Sequence, residues 1–399
     1  MRTSQPNPDT PEARPRSAGR LAVVGALVLG ITTSALSAAA GAAPAPTRRV
    51  DLAPPTFSDP TAITNPFFPI ASVVQAVQLG AEGDVALRHE ITLLDETRVI
   101  PWNGQDIEAV VSQFVAYGDG EILEIATDYF AQADDGSVWY LGEDVTNYDG
   151  GKVEDHDGTW LAGRDGPAGM IMPADPQVGD VYRPENIPGV VFEEVTVEQT
   201  GLTVEGPRGP VAGAIQVQEA LQDGTLEDKV FAPGYGEFSA SVASSDELAT
   251  VAVAVPTDAI DGPAPEALDR LSDSAERLFD EGAHARWSRD RALAREAGRT
   301  VAAVSAGDVP PLLEDELADA LGALDAAIAA RSRTDVRQAA LELELATLDL
   351  ELQYRDPHAV DADRIEVWQR QRELHRAAGD AAAARSDRVI ITAIADRLA

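Results

Sequence analysis

The chain of 399 residues contains no cysteine. This excludes disulfide frameworks, thiolate metal sites and cysteine nucleophiles, so buried apolar area must hold the fold together. Recognisable catalytic signatures are missing as well. The sequence has no G-x-S-x-G elbow, S-x-x-K set, phosphate-binding loop or dinucleotide fingerprint. From these absences we expect a protein that is not an enzyme and that carries no cofactor.

Basic side chains are scarce: 31 lysines and arginines stand against 67 aspartates and glutamates, for a net charge of −36. Such a field repels phosphate backbones, because nucleic-acid binding depends on basic side chains. We therefore expect no nucleic-acid partner. An acidic, solvated surface is the simplest interpretation of this charge. An alternative is weak association with cations or cationic partners.

Long hydrophobic runs are also absent. The most apolar stretch, residues 21–31, is shorter than the roughly 20 residues of a membrane-spanning helix. Arg14, Arg16 and Arg20 lie just before it, and a small-residue stretch ending in Ala40-Gly41-Ala42 follows. This pattern predicts a cleaved signal peptide over residues 1–42. We expect a mature chain that begins at Ala43, lacks a transmembrane segment and is exported, either secreted or associated with the cell envelope.

The remaining chain divides by the period of its apolar residues. An extended lead-in, 43–69, is followed by apolar runs of strand length, 70–255, separated by Gly, Pro and Asp. After a proline-rich linker, 256–265, the period becomes 3.6 over residues 266–399. The predicted fold class is therefore α+β with two domains. An antiparallel curved β-sheet or half-barrel precedes an all-α helical bundle.

Proline and glycine mark the helix boundaries. Gly282 is expected to end the first helix, and Pro311 to open the third. Residues 334–355 carry two apolar stripes, so this helix should be central to the bundle. Pro357 is expected to break this helix, with the fifth helix beginning at about Asp361.

The few aromatic residues, 5% of the chain, concentrate in "DYFAQADDGSVWYLGEDVTNY", residues 128–148. This segment predicts a β-hairpin whose loop needs a positive φ at Gly136. Its rings either form a packed core or line a concave ligand site, and both interpretations remain open here. If they line a site, the ligand-contacting residues are Phe130, Trp139, Tyr140, Tyr148 and Trp160.

Four motifs carry a resemblance to a known family. They are "NPFFP" (65–69), "WYLGED" (139–144), "MPADPQVGDVYR" (172–183) and "APGYG" (232–236). The chain resembles a family of uncharacterised exported bacterial proteins with NPFFP, WYxGED, MPADPxVGDxYR and APGxG motifs. That resemblance implies export and a β-domain architecture, but no reaction and no ligand. The segment "YRPENIPG" departs from the aromatic-rich "YRQEYYPG" typical of the family.

Within the β-segment, Asp149, Asp155 and Asp157 resemble the first half of a calcium loop, whose closely spaced oxygens suit a hard cation. The bidentate glutamate of such a loop is missing, and Asp-Gly is equally typical of hairpin turns. Ca²⁺ binding is thus a weak hypothesis at these positions.

The sequence as a whole indicates an exported, non-catalytic protein. It is expected to bind an apolar or amphipathic small ligand in the concavity of the sheet, or a cell-envelope protein through the helices. One alternative is a carboxylate-dependent hydrolase using Asp128, Glu143 and Asp144, which lie beside the aromatic residues. Another is a cation-associating or structural module of the cell envelope.

Overall fold

The computed structural model describes residues 46–284 and 286–398. The predicted signal peptide, residues 1–42, lies outside the described residues, as does the predicted mature N-terminus at Ala43. Over the described part, a large, mostly antiparallel β-sheet is followed by a C-terminal region of six helices. The predicted α+β architecture is confirmed.

Sixteen strands form the sheet of the described residues. In chain order they are β1 (Arg48–Arg49), β2 (Gln75–Glu82), β3 (Val85–Trp102), β4 (Gln105–Gly118), β5 (Glu121–Gln132), β6 (Val138–Asp149), β7 (Lys152–Val153), β8 (Trp160–Leu161), β9 (Gly169–Met172), β10 (Asp180–Tyr182), β11 (Asn186–Ile187), β12 (Val191–Gly206), β13 (Gly209–Leu221), β14 (Leu226–Ala232), β15 (Gly236–Val242) and β16 (Glu247–Val255).

Hydrogen-bonded neighbours follow the path β1-β10-β12-β13-β14-β15-β16-β2-β3-β4-β5-β6-β7. The short strands β8 and β9 pair with β6, and β11 pairs with β12. Side chains of β4, β5 and β6 share one apolar cluster with side chains of β12, β13 and β14. This shared cluster shows that the sheet is strongly curved. We call the space enclosed between these two halves of the sheet the interior.

Alternation along β2 to β5 gives these strands two buried faces. Val115 and Tyr117 of β4 point outward and pack against the helices, where Tyr117 stacks on Trp368 with ring centroids 6.0 Å apart. Val110 of β4 and Phe130 of β5 belong instead to the interior cluster. The near-continuous apolar runs of these strands follow from this burial on both sides.

The six helices are α1 (Glu266–Gly282), α2 (Trp287–Val304), α3 (Pro311–Ala330), α4 (Arg333–Glu351), α5 (Pro357–Ala378) and α6 (Ala383–Asp396). The expected end of α1 at Gly282 and the expected start of α3 at Pro311 are confirmed. The expected start of α5 at about Asp361 is wrong, because α5 already begins at Pro357, whereas α4 does end before this proline. Asp356 is its N-cap and accepts a hydrogen bond from the backbone N–H of His358 at 2.9 Å. Proline is well tolerated at the first helical position, where its missing N–H has no intrahelical partner.

Helix α4 is central, as its two apolar stripes predict. Leu343 and Leu348 are buried on different sides of it, and the helix packs against α1, α3 and α5. The same apolar cluster extends into the sheet through Val77 of β2 and Val253 of β16. The helices and the outer face of the sheet therefore share one continuous core.

A buried ion network crosses this shared core. It contains three arginines and three carboxylates, namely Arg88, Arg364, Arg397, Glu90, Asp349 and Asp361. Arg364 donates to Asp349 at 2.5 Å and to Asp361 at 2.8 Å. Burial alone would raise the pKa of Glu90, but Arg397, Arg88 and Arg364 hold that pKa far below its ordinary value. These ion pairs join β3 of the sheet to α4, to α5 and to the residue that follows α6.

Across residues 46–284 and 286–398, no helix has the length and apolar character needed to cross a membrane.

Candidate functional site

Four of the five predicted ligand-contacting rings lie in the interior of the curved sheet. Phe130 stacks on Tyr140 with centroids 4.8 Å apart, and Tyr140 meets Trp160 edge-on at 5.4 Å. Trp139 belongs to the same apolar cluster, with its ring 6.0 Å from that of Trp102, and each of the four side chains is at most 8% exposed. Gly136 in the hairpin loop has a φ of +90°, which confirms the predicted turn. In this state the four rings fill the interior and do not line an open cleft.

The NPFFP motif closes one end of the interior. Asn65 Nδ2 donates hydrogen bonds to the carbonyl oxygens of Pro173 at 2.9 Å and Gly136 at 3.1 Å. These bonds place Phe68 edge-on against Phe130, with 4.8 Å between centroids. The motif therefore acts as an anchor that holds the lead-in across the hairpin and the following loop.

Beside the rings, the structure assembles a group of carboxyls whose leading charged neighbours, among the described residues, are other carboxyls. Asp128 of β5 lies opposite Glu143 of β6 in the ladder register. The hydroxyl of Tyr140 donates to Asp128 Oδ1 at 2.7 Å. Glu185, just before β11, accepts from Trp160 Nε1 at 2.8 Å and shares a side-chain hydrogen bond with Glu143.

Burial raises the pKa values of these carboxyls. It raises the pKa of Asp128 to about 7, against which the hydrogen bond from Tyr140 acts. Burial, with a further contribution from Asp128, raises the pKa of Glu124 to about 8. The pKa values of Glu143 and Glu185 are also well above the ordinary range, first through burial and then through neighbouring carboxylates. These groups therefore retain protons under conditions where exposed carboxyls are ionised.

Further buried carboxyl side chains follow on β12, β13 and β14. Glu193 shares a side-chain hydrogen bond with Glu219, and Lys229 Nζ lies 2.7 Å from Glu219 Oε2. Glu227 is fully buried at 3.5 Å from the same ammonium. Burial and then Glu219 raise the pKa of Glu193. Lys229 remains charged, because the surrounding acids raise its pKa against the opposing effect of burial.

The predicted hydrolase set is only partly brought together. Asp128 and Glu143 are neighbours, but Asp144 points to the opposite face of the sheet. There its Oδ2 accepts from the Tyr129 hydroxyl at 2.6 Å and from Arg98 Nη1 at 2.7 Å. Sequence reasoning missed Glu185, the partner that does meet Glu143. No local pattern marked it, because the glutamate stands at the same place in "YRPENIPG" as in "YRQEYYPG".

The predicted calcium ligands lie on the hairpin of β6 and β7 and on the loop after it. Asp155 Oδ1 accepts from Asn147 Nδ2 at 2.8 Å and from the backbone N–H of Asp157 at 3.1 Å, as in an Asx turn. Nowhere in the described part of the chain do three or more His, Asp or Glu side chains stand where they could hold a metal ion. Ca²⁺ binding at Asp149, Asp155 and Asp157 stays a prediction.

The fifth predicted ring, Tyr148, lies outside the interior and lines a groove between the sheet and α6. The groove has a volume of about 550 Å³. Its walls are the side chains along one side of α6 and the outward-facing side chains of β3 to β6, namely Leu94, Glu96, Gln113, Ile125, Thr127, Tyr148, Arg388, Val389, Thr392, Ala393 and Asp396. We call this the α6 groove.

Hydrogen bonds at both ends hold α6 over the strands. Near its N-terminus, Ser386 Oγ accepts from the backbone N–H of Ile122 at 2.7 Å. Further along, Gln113 Nε2 donates to the carbonyl oxygen of Ala393 at 3.1 Å. The helix therefore crosses from β5 towards β3 and β4. Between these anchors the helix and strands leave the α6 groove unfilled.

The α6 groove combines apolar and charged surfaces. Leu94, Ile125 and Val389 are half-buried along it. Arg388 lies towards the N-terminal end of α6 and Asp396 at its C-terminal end, and both side chains are exposed. This arrangement can take up an elongated molecule with an apolar body and a polar or charged end.

Comparison with protein-family models, with curated proteins and with solved structures finds no match to this chain. The resemblance to the exported bacterial family therefore stays a prediction.

Proposed function

We propose that the protein is a non-catalytic binding protein and that it holds an amphipathic small molecule in the α6 groove. The observation that carries this proposal is the groove itself, whose volume of about 550 Å³ falls in the range of small-molecule sites. The expected site in the concavity is filled by Phe130, Tyr140 and Trp160. The ligand position proposed here is therefore on the outer face of the sheet.

The mixture of side chains in the groove supports an amphipathic ligand. Ile125 and Val389 offer apolar contact, and Tyr148 adds a large ring with a polar tip. The amide of Gln113 and the charges of Arg388 and Asp396 can meet polar ends. A purely apolar ligand would leave these polar groups without compensation.

Filling the groove tests the proposal. Thr392→Trp places a large ring in the α6 groove, and Ala395→Trp places the same ring on an exposed part of α6 that does not line it. The probe is N-phenyl-1-naphthylamine, whose fluorescence rises in apolar sites. We expect saturable binding to the unmodified protein and to Ala395→Trp, and at least tenfold weaker binding to Thr392→Trp. Equal binding to all three proteins, or no binding to any, would overturn the proposal.

Export belongs to the same proposal. It is supported by Arg14, Arg16 and Arg20, by the apolar run after them and by the small residues before Ala43. An exported binding protein would meet amphipathic molecules of the cell envelope or the medium, and its acidic surface would keep it dispersed there.

A further inference from the structure

The two ends of the curved sheet meet without a ladder between them. The hydrogen-bonded path runs from β1 and β10 at one end to β6 and β7 at the other, and within the described residues these ends are not paired. The ends nevertheless adjoin, because β8 and β9, which pair with β6, lie against the chain just after β10. We call this junction the seam.

Close packing and one side chain hold the seam. A Cβ on Gly169 of β9 would lie 1.7 Å from the carbonyl oxygen of Pro184, so the two backbones are in direct contact. Glu185 then reaches across, accepting from Trp160 Nε1 at 2.8 Å and sharing a hydrogen bond with Glu143 of β6. Glu185 is 7% exposed and joins both ends of the sheet.

A hydrogen bond between two carboxyls requires a proton, since an ionised carboxylate can only accept. The charged groups acting on Glu143 are Asp128 and Glu124 of β5, Glu185 across the seam and Glu193 of β12. Those acting on Glu185 are Glu143 and Glu219. Tyr140 and Trp160 donate here as neutral groups, and the ammonium of Lys229 lies against Glu219. Among the described residues, the charges that act most strongly on the pair are therefore negative.

We propose that the Glu143–Glu185 pair is a proton-operated clasp that closes the seam when it holds a proton and releases it when both carboxyls ionise. Release places two negative charges together in a poorly solvated site, and the repulsion acts between the two ends of the sheet. The seam then separates locally and water reaches Tyr140 and Trp160. The interior of the sheet would open at neutral to alkaline pH and close under acidic conditions.

The direction of this pH dependence follows from the raised pKa values of the pair. A carboxyl whose folded-state pKa lies above its unfolded value contributes stability that is complete below the unfolded pKa. That contribution is lost as the pH rises through the folded pKa. For Glu143 and Glu185 the loss begins above about pH 4.5 and continues through their raised pKa values. We expect this loss of stability to appear locally, as opening of the seam.

The substitution Glu185→Gln tests the clasp. The amide can donate to Glu143 and accept from Trp160 at every pH, so it mimics the protonated carboxyl permanently. The matched control is Glu198→Gln, an exposed position on β12. Amide hydrogen exchange, corrected for the intrinsic pH dependence, is measured over residues 138–145 and 160–172 at pH 5 and pH 8. Residues 341–350 of α4 are the internal reference.

We expect seam exchange in the unmodified protein and in Glu198→Gln to be at least tenfold faster at pH 8 than at pH 5, relative to α4. In Glu185→Gln the two rates should agree within about twofold. Glu143→Gln, which places the donor on the other side, should behave like Glu185→Gln and serves if the latter fails to fold. Seam exchange that is independent of pH in the unmodified protein would overturn the proposal. A pH dependence that survives both amide substitutions would overturn it as well.

Discussion

Arg397, which follows α6, and Glu90 of β3 are 307 residues apart in the sequence, yet Arg397 Nη2 donates to Glu90 Oε2 at 2.7 Å in a fully buried contact. Arg397 Nε also donates to Asp361 of α5 at 2.7 Å. One side chain thus connects the sheet, α5 and the end of α6. The position of α6, and with it the α6 groove, depends on this contact.

Removing that charge should destabilise the whole chain. Arg397→Met leaves Glu90 and Asp361 buried with less compensation, so we expect a loss of about 3–5 kcal/mol in the free energy of unfolding. Urea denaturation followed by far-UV circular dichroism measures it. The control Arg299→Met, on the exposed side of α2, should stay within about 0.5 kcal/mol. Equal stability of the two variants would contradict a structural role for Arg397.

The tip of the β6–β7 hairpin should tolerate no side chain. Gly151 has a φ of +69°, and a Cβ there would lie 2.2 Å from the backbone nitrogen of Ser386 in α6. Gly201 has nearly the same φ, +71°, but open space around its Cβ position. Gly201→Ala should therefore cost only the left-handed backbone strain of about 1–2 kcal/mol.

Gly151→Ala adds displacement of α6 to the same backbone strain, and we expect it to be less stable than Gly201→Ala by about 1–3 kcal/mol. Faster amide exchange in residues 383–396 should accompany the loss, since α6 is the element displaced. If the two alanine variants unfold at the same urea concentration, α6 does not depend on close contact with the hairpin.

His89 should limit stability on the acid side. It is buried on β3, and burial lowers its pKa from 6.5 to about 4. A histidine with a lowered folded-state pKa contributes stability that is complete above about pH 6.5 and is lost as the pH falls towards 4. The shift corresponds to a loss on the order of 3 kcal/mol between these limits.

Thermal unfolding of His89→Gln between pH 4 and pH 6.5 measures this contribution. The slope of the melting temperature against pH should be smaller than in the unmodified protein. The control is His284→Gln, at an exposed position, which should leave the slope of the melting temperature against pH unchanged. Because the carboxyls of the seam act in the opposite direction, stability should be greatest at mildly acidic pH. An unchanged slope in His89→Gln would show that His89 is not the group that limits stability in acid.

The proposed export predicts a definite mass for the mature protein. Expression with the native leader in a secreting bacterial host should release a protein that begins at Ala43, because the small residues at Ala40 and Ala42 suit signal peptidase. Intact-mass measurement of the culture fluid and of the cell-envelope fraction checks this. A chain that retains residues 1–42 in every fraction would rule out cleavage.

Patterns over short stretches predicted much of the fold. Period-two runs indicated the strands, the positive φ at Gly136 followed from the hairpin loop, and the stripes of residues 334–355 indicated a central helix. The error at Pro357 is of the same local kind, since a proline can end one helix or begin the next. Asp356, a good N-cap residue, was the signal in favour of a beginning.

The candidate sites depended on contacts that no local pattern contains. Four of the predicted rings lie in the interior, namely Phe130, Trp139, Tyr140 and Trp160, and Glu143 lies beside them. Tyr148 lies on the same strand as Glu143, but its ring faces α6. Glu185 meets Glu143 only because the sheet curves until its ends adjoin. Arg364 and Arg397 look like ordinary surface arginines in a helical sequence, yet both are buried.

The order of strands and helices, their approximate limits and the acidic character of the chain can be read from neighbouring residues, because backbone geometry and side-chain period act over a few positions. The tertiary structure decided which carboxyls are buried. It also decided which buried carboxyls contact an arginine and which contact only another carboxyl. Burial and charge pairing are properties of the whole packed chain, so identical Asp and Glu side chains became solvated surface, ion network or seam according to their position in space.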